Sequence, residues 1–183
     1  MDRAAILPTP EFREALQESY AVSEQMNQLI LSHLDPKAWR AEPPGRNARP
    51  IVAIFTHMHN IRSKWLRLSA PHLKLPAQLD RARCTQSQAR IALAASAKLC
   101  SKMLAEALGE AQGRVRQFHR DGWARPWPAG AAMFTYMIVH DAHHRGQVCM
   151  LAHQLGFPLS SKATSEMWSW ERLWKQCGLD GPR

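Results

Sequence analysis

Apolar residues recur every three to four positions through most of this chain, in stretches separated by proline- and glycine-rich breaks, and no pair of segments alternates as strands would. Thr9-Pro10-Glu11 reads as a helix start, with a capping hydroxyl, a proline in the first turn and an acid at the positive end of the dipole. Phe12, Leu16, Val22, Met26, Leu29 and Ile30 carry that helix to about Leu34, and Asp35-Pro36 and Glu42-Pro43-Pro44-Gly45 then impose a polar loop. The second helix begins near Pro50, follows Ile51, Ile54, Phe55, Met58, Ile61, Trp65 and Leu68, and ends before Pro71 and Pro76. A third starts at Thr85, whose hydroxyl caps while Gln88 reaches back; it carries Ile91, Leu93, Leu99, Met103, Leu104 and Leu108 and stops between Gly109 and Gly113. Val115 to Phe118 is open between a short strand and irregular chain, and Pro126-Trp127-Pro128-Ala129-Gly130 is a rigid connector. A long helix then runs from about Ala131 to Leu155, ended by Gly156-Phe157-Pro158.

A short last helix, Ser165 to Gln176, holds Trp168, Trp170 and Trp174 and reads as a cover for the bundle or as part of a dimer interface. The expected fold class is all-α, a four-helix bundle with a short additional C-terminal helix. One domain is expected, with its core over residues 9–158 and a tryptophan-rich extension over 159–183.

The long fourth helix breaks its own pattern. At about 100° per residue, Met133, Met137, His140, His144, Val148, Leu151 and Leu155 form one narrow stripe, so two imidazoles occupy core-facing positions. A buried imidazole must satisfy two ring nitrogens and resists charging, which calls for a hydrogen-bond partner or a metal. At i and i+4 the two rings are neighbours and are placed to share one ion. A third ligand must come from a facing helix. His57 and His59 both flank the second helix's apolar stripe at about a right angle from its centre, and spacing does not separate them. His143 sits at the stripe's edge beside Gln147 and Tyr136. Gln147 and Tyr136, with Asn60, are candidates for groups behind the ligands, and His143 joins His59 as an alternative ligand. Gly146 is expected to let a neighbouring helix approach. Asp141 and Arg145 are expected at the side, in an interhelical or dimer salt bridge, and Asn60 and Arg62 at an anionic cosubstrate or a solvated face. His33, His72, His119 and His153 read as surface groups.

Composition narrows the partners. At 183 residues and 45% hydrophobic, the chain can bury one core. Cys84, Cys100, Cys149 and Cys177 form no Cys-x-x-Cys pair and read as reduced thiols. Met1 to Pro8 lacks a leader pattern and no apolar run is long enough for a bilayer, so a cytoplasmic location without membrane association is expected. The net charge of +9 suits an anionic partner, such as a phosphorylated metabolite or a carboxylate-bearing thiol. Basic residues are dispersed from Arg3 to Arg183, however, with no clustered basic helix or aromatic stacking surface, and this disfavours nucleic acid.

His140-Asp141-Ala142-His143-His144-Arg145-Gly146-Gln147 resembles the His-x-x-x-His-Arg-Gly-Gln signature of the DinB/YfiT-like (damage-inducible DinB) family. Thr56-His57 through Trp65-Leu66 resembles that family's second-helix pattern, a histidine followed eight residues later by Trp-Leu. The resemblance spans roughly Glu11 to Pro158. It implies a four-helix bundle, usually homodimeric, with a divalent metal on three histidines, and it makes His57 the third ligand beside His140 and His144. Some relatives are metal-dependent transferases or isomerases that use a low-molecular-weight thiol, and others are called metal-dependent hydrolases. Three neutral imidazoles leave an open position on zinc or nickel, as a catalytic site requires. The expected function is metal-dependent activation of water or of an anionic low-molecular-weight thiol for attack on a small-molecule electrophile. The alternative is a non-catalytic metal-binding protein of stress response or interaction.

Overall fold

Local chemistry starts and stops the helices where the pattern places them. In this computed structural model, residues 9–45, 47–109, 115, 118–120, 123–125 and 131–179 are described. Helix α1 (Pro10–His33) opens with Phe12 N donating to Thr9 Oγ1 at 3.3 Å. Helix α2 (Ile51–Ser69) follows a loop in which Trp39 is buried, stacks on Phe55 and accepts from Val52 N through its carbonyl. Helix α3 (Gln86–Leu108) has the full capping box: Gln88 N donates to Thr85 Oγ1 and Thr85 N to Gln88 Oε1. Helix α4 (Ala131–Gln154) ends at Gly156, whose φ of +82° lets Phe157 N reach back to Ala152 O.

Residues 116–117 and the connector 126–130 lie outside the described residues, as do residues 1–8. Nearby, β1 (Phe118–Arg120) and β2 (Trp123–Arg125) pair antiparallel, Phe118 opposite Arg125, so a short strand begins at the end of the stretch left open and its partner strand was not expected. It hangs on the end of α2, where His119 N donates to Ser69 Oγ. The tail forms two short helices where one was expected, α5 (Ser161–Glu166) and α6 (Trp170–Gln176). Ala163 and Leu173 bury against Val22, Met26 and Leu29 of α1, while Trp168 stays 77% exposed.

The four long helices form an all-α bundle in which α3 and α4 each pack against both α1 and α2. Two apolar clusters occupy its ends. One gathers Tyr20, Trp65, Leu104, Phe134 and Met137; the other gathers Ile30, Phe55, Met58, Leu93, Val148 and Ala152. Between them, Glu24, Asn27, Arg62 and Asp141 form a buried polar layer. Phe12 and Ile91, read as core positions, are instead 50% and 65% exposed. All four cysteines are free.

Candidate metal centre

The buried face of α4 is offset from the apolar stripe. Phe134, Met137, Asp141, His144, Val148 and Ala152 are the buried positions, and His140 lies at the edge, half-buried. Nothing is described of the Met133 side chain. Helix α2 presents His57 to this edge, with ring centroids 5.5 Å from His140 and 4.9 Å from His144. His57, His140 and His144 each offer a ring nitrogen, all within 4.8 Å of one another, a set that could hold a metal ion.

His140 Nε2 and His144 Nε2 are 3.2 Å apart. Two nitrogens bound tetrahedrally to one zinc at about 2.0–2.1 Å would sit about 3.3 Å apart. The outer nitrogens determine what lies between. His144 Nδ1 is 2.7 Å from Gln147 Oε1, an oxygen that only accepts, so Nδ1 carries the proton and Nε2 presents a lone pair. His140 Nδ1 lies 3.6 Å from Asp141 Oδ1, within ion-pair range but beyond a hydrogen bond; both atoms are buried and neither has a hydrogen-bond partner among the described residues. That carboxylate favours a proton on His140 Nδ1, which leaves its Nε2 as a lone pair too. Two lone pairs face to face repel, and a cation between them removes the conflict. These nitrogens therefore fit a metal ion.

Two of the rings resist protonation. Burial, and then the charges of His140, His57 and His143, bring His144 down to about 4 against the favourable Gln147 contact. Burial also lowers His57, helped by His140 and Arg49. Trp65 and Tyr136 wall the far side of His140, Trp65 edge-on at 5.0 Å and Tyr136 stacked at 6.4 Å.

Behind the site runs the polar layer. Asp141 Oδ2 accepts from Arg62 Nη2 and, at 3.1 Å, from Asn27 Nδ2. The same Arg62 nitrogen donates to Glu24 Oε2 at 2.7 Å, and Nη1 donates to Leu93 O. Although burial opposes ionisation, the Arg62 charge with the His140 and Asn27 contacts holds the Asp141 carboxyl well below the usual range. Arg145 donates to Ser23 O, Ser23 Oγ and Asn27 Oδ1 of α1.

Several expectations need correction. Asp141 is not at the side of α4 but 1% exposed in the buried face, where it ties α4 to α1 and α2. Arg62 meets neither cosubstrate nor solvent, since it is fully buried against two carboxylates. Asn60 does not stand behind a ligand: its amide donates to Leu79 O and accepts from Leu79 N, both at 2.9 Å, pinning the α2–α3 connection. His59 faces away from the cluster, its ring nitrogens 3.0 Å from Ala92 O and 2.8 Å from Ala77 O. His143 is exposed, stacked edge-on against His144 at 5.1 Å and outside the three-residue group. A Cβ built on Gly146 would meet nothing within 4 Å, so among the described residues no helix packs closely on it.

No helix among the described residues is long and apolar enough to cross a membrane. The model of the DinB family matches residues 9–171, past Pro158 and into the tail. No curated protein and no solved structure matches the chain.

Proposed function

The chain belongs to the DinB family, and from that premise we propose that it is a divalent-metal-dependent enzyme acting on a small molecule, with His57, His140 and His144 as the ligands. The observation that carries this reading is the pair of Nε2 atoms 3.2 Å apart, with Gln147 and Asp141 placed behind their rings. Zinc or nickel suits three neutral imidazoles. Bound there, the ion would supply Lewis acidity, bringing water from a pKa of about 15.7 toward about 7 and ionising a thiol more readily still.

The chain's own residues do the rest. Gln147 and Asp141 keep the protons on the outer nitrogens, so that both lone pairs face inward. Trp65 and Tyr136 pack against His140, which leaves exchange to the sides bounded by His144, Gln147 and Ile54 and by His57, Thr56 and Asn60. Three protein ligands leave a coordination position for water or a thiol, which supports hydrolysis or thiol transfer to a small electrophile. A homodimer and a cytoplasmic setting belong to the same proposal.

The test is turnover by zinc- and nickel-loaded protein toward an activated ester, and toward an alkylating electrophile with and without glutathione. Metal-dependent turnover in either assay, lost in His140→Ala, is expected. Equal turnover by metal-free protein, or none with either substrate, would overturn the enzymatic reading.

A further inference from the structure

The histidine cluster opens on two sides. One pocket of about 470 Å³ is bounded by His144, Gln147, Ile54, Met150 and Leu151, and a second of about 430 Å³ by His57, Thr56, Asn60, Asp80 and Arg81. Arg49 lines both.

The polar groups of the second pocket are mostly engaged within the chain. Thr56 Oγ1 donates to Ala53 O at 3.2 Å, and both ends of the Asn60 amide hold Leu79. The Asp80 carboxylate accepts from Ala82 N at 2.9 Å and from Arg83 Nε at 3.0 Å. Arg49 and Arg81 differ: neither guanidinium has a hydrogen bond or ion pair to another described residue. Some exposed cations pair with acids, as Arg172 does with Glu166 and Lys175 with Glu171, and others such as Arg67 and Lys98 do not among the described residues. What sets Arg49 and Arg81 apart is that both line one pocket beside the histidines. Arg49 lies two residues before α2, next to its cap Pro50, and Arg81 sits in a connection fixed by Asn60 at Leu79 and by Arg40 donating to Arg81 O. Arg49 lies close enough for its charge to bear on the His57 ring.

We propose that Arg49 and Arg81 form an oxyanion-binding subsite beside the histidine cluster, so that the small molecule handled there carries a carboxylate or a phosphate. Two planar donor forks at the rim of one pocket match such a group in geometry as well as charge. The opposite pocket, with Ile54, Met150 and Leu151, takes the apolar part of the same molecule. The choice of substrate class rests on the histidines being the reacting centre, but the anion subsite itself needs no metal.

The experiment uses metal-free full-length protein at low ionic strength, where exposed charge pairs are least screened. Calorimetric titration with succinate and with inorganic phosphate separates the two sources of oxyanion. At least one is expected to bind, with affinity falling about tenfold in both Arg49→Gln and Arg81→Gln, as for loss of a charge-assisted bond, and unchanged in Arg83→Gln. Absence of binding by either anion, or wild-type affinity in either Arg49→Gln or Arg81→Gln, would overturn the proposal. Metal content of the wild-type protein, measured separately by elemental analysis, reports on the histidine reading alone.

Discussion

His140 Nε2 stands 3.2 Å from His144 Nε2, with the outer nitrogen of each ring next to an oxygen that accepts. Removing either ring, or His57, takes away one third of the proposed ligand set. His57→Ala, His140→Ala and His144→Ala are each expected to lose tightly held zinc, measured by elemental analysis after dialysis against a weak chelator. His143→Ala keeps it. His59→Ala also keeps it but lowers unfolding stability by about 1–3 kcal/mol, because the buried ring is lost and whichever of Ala77 O and Ala92 O accepts its N–H is left without that donor.

Asp141 serves two purposes that substitution can separate. Asp141→Asn removes the carboxylate from His140 Nδ1 and from buried Arg62, so zinc affinity should fall about 10–100-fold and metal-free stability by about 3–5 kcal/mol. Combining Asp141→Leu and Arg62→Met with Glu24→Gln removes the whole ion cluster, including the second carboxylate on Arg62. Chemical denaturation of the triple variant is expected to show most of the stability restored while chelator competition still shows weak zinc binding. Zinc affinity equal to wild type in Asp141→Asn would remove Asp141 from any positioning role.

Acid should weaken the metal-free fold through the same rings. An unfolded histidine titrates near about 6.5, while His144 in the fold titrates at about 4 and His57 is also lowered. Between those values the unfolded chain binds more protons, so stability rises with pH across the window. The contribution is present in full at neutral pH and disappears as pH falls from about 6.5 to about 4. Urea midpoints from pH 7 to 4.5 are expected to drop more for wild type than for His144→Gln.

Gly146 offers a test with the opposite sign. It lies inside α4, exposed, with open space where a Cβ would stand. Gly146→Ala is expected to raise thermal unfolding stability by about 0.5–1 kcal/mol, the helix-propensity difference. A loss would mean that a second copy of the chain packs on that face.

Much of the bundle was legible in the residues. The Thr9 and Thr85 caps, the Gly156 stop and the 3.6-residue period mark three of the long helices to within a residue or two at each described end. The histidines stood out because polar groups interrupt an apolar seam. The interhelical ion pair expected of Asp141 is present, with Arg62, but its place on the inner face and the burial of Arg62 were missed, because a charge on an inner face looks like surface until its partner on another helix is known. Phe134 and Ala152, in register with Asp141, carried the signal for its burial. His57 and His59 lie on opposite sides of one helix, and only the positions of α3 and α4 decide which faces the cluster. Arg49 and Arg81 come together through two loops, and loop geometry has no period to read.

The most direct measurement is anomalous diffraction from crystals of the zinc-loaded protein. One peak is expected within about 2.0–2.1 Å of a nitrogen from each of His57, His140 and His144, with His59 still on its two carbonyls. Full loading with no peak among those three rings, or a peak held by His59 or His143 in place of one of them, would contradict the site.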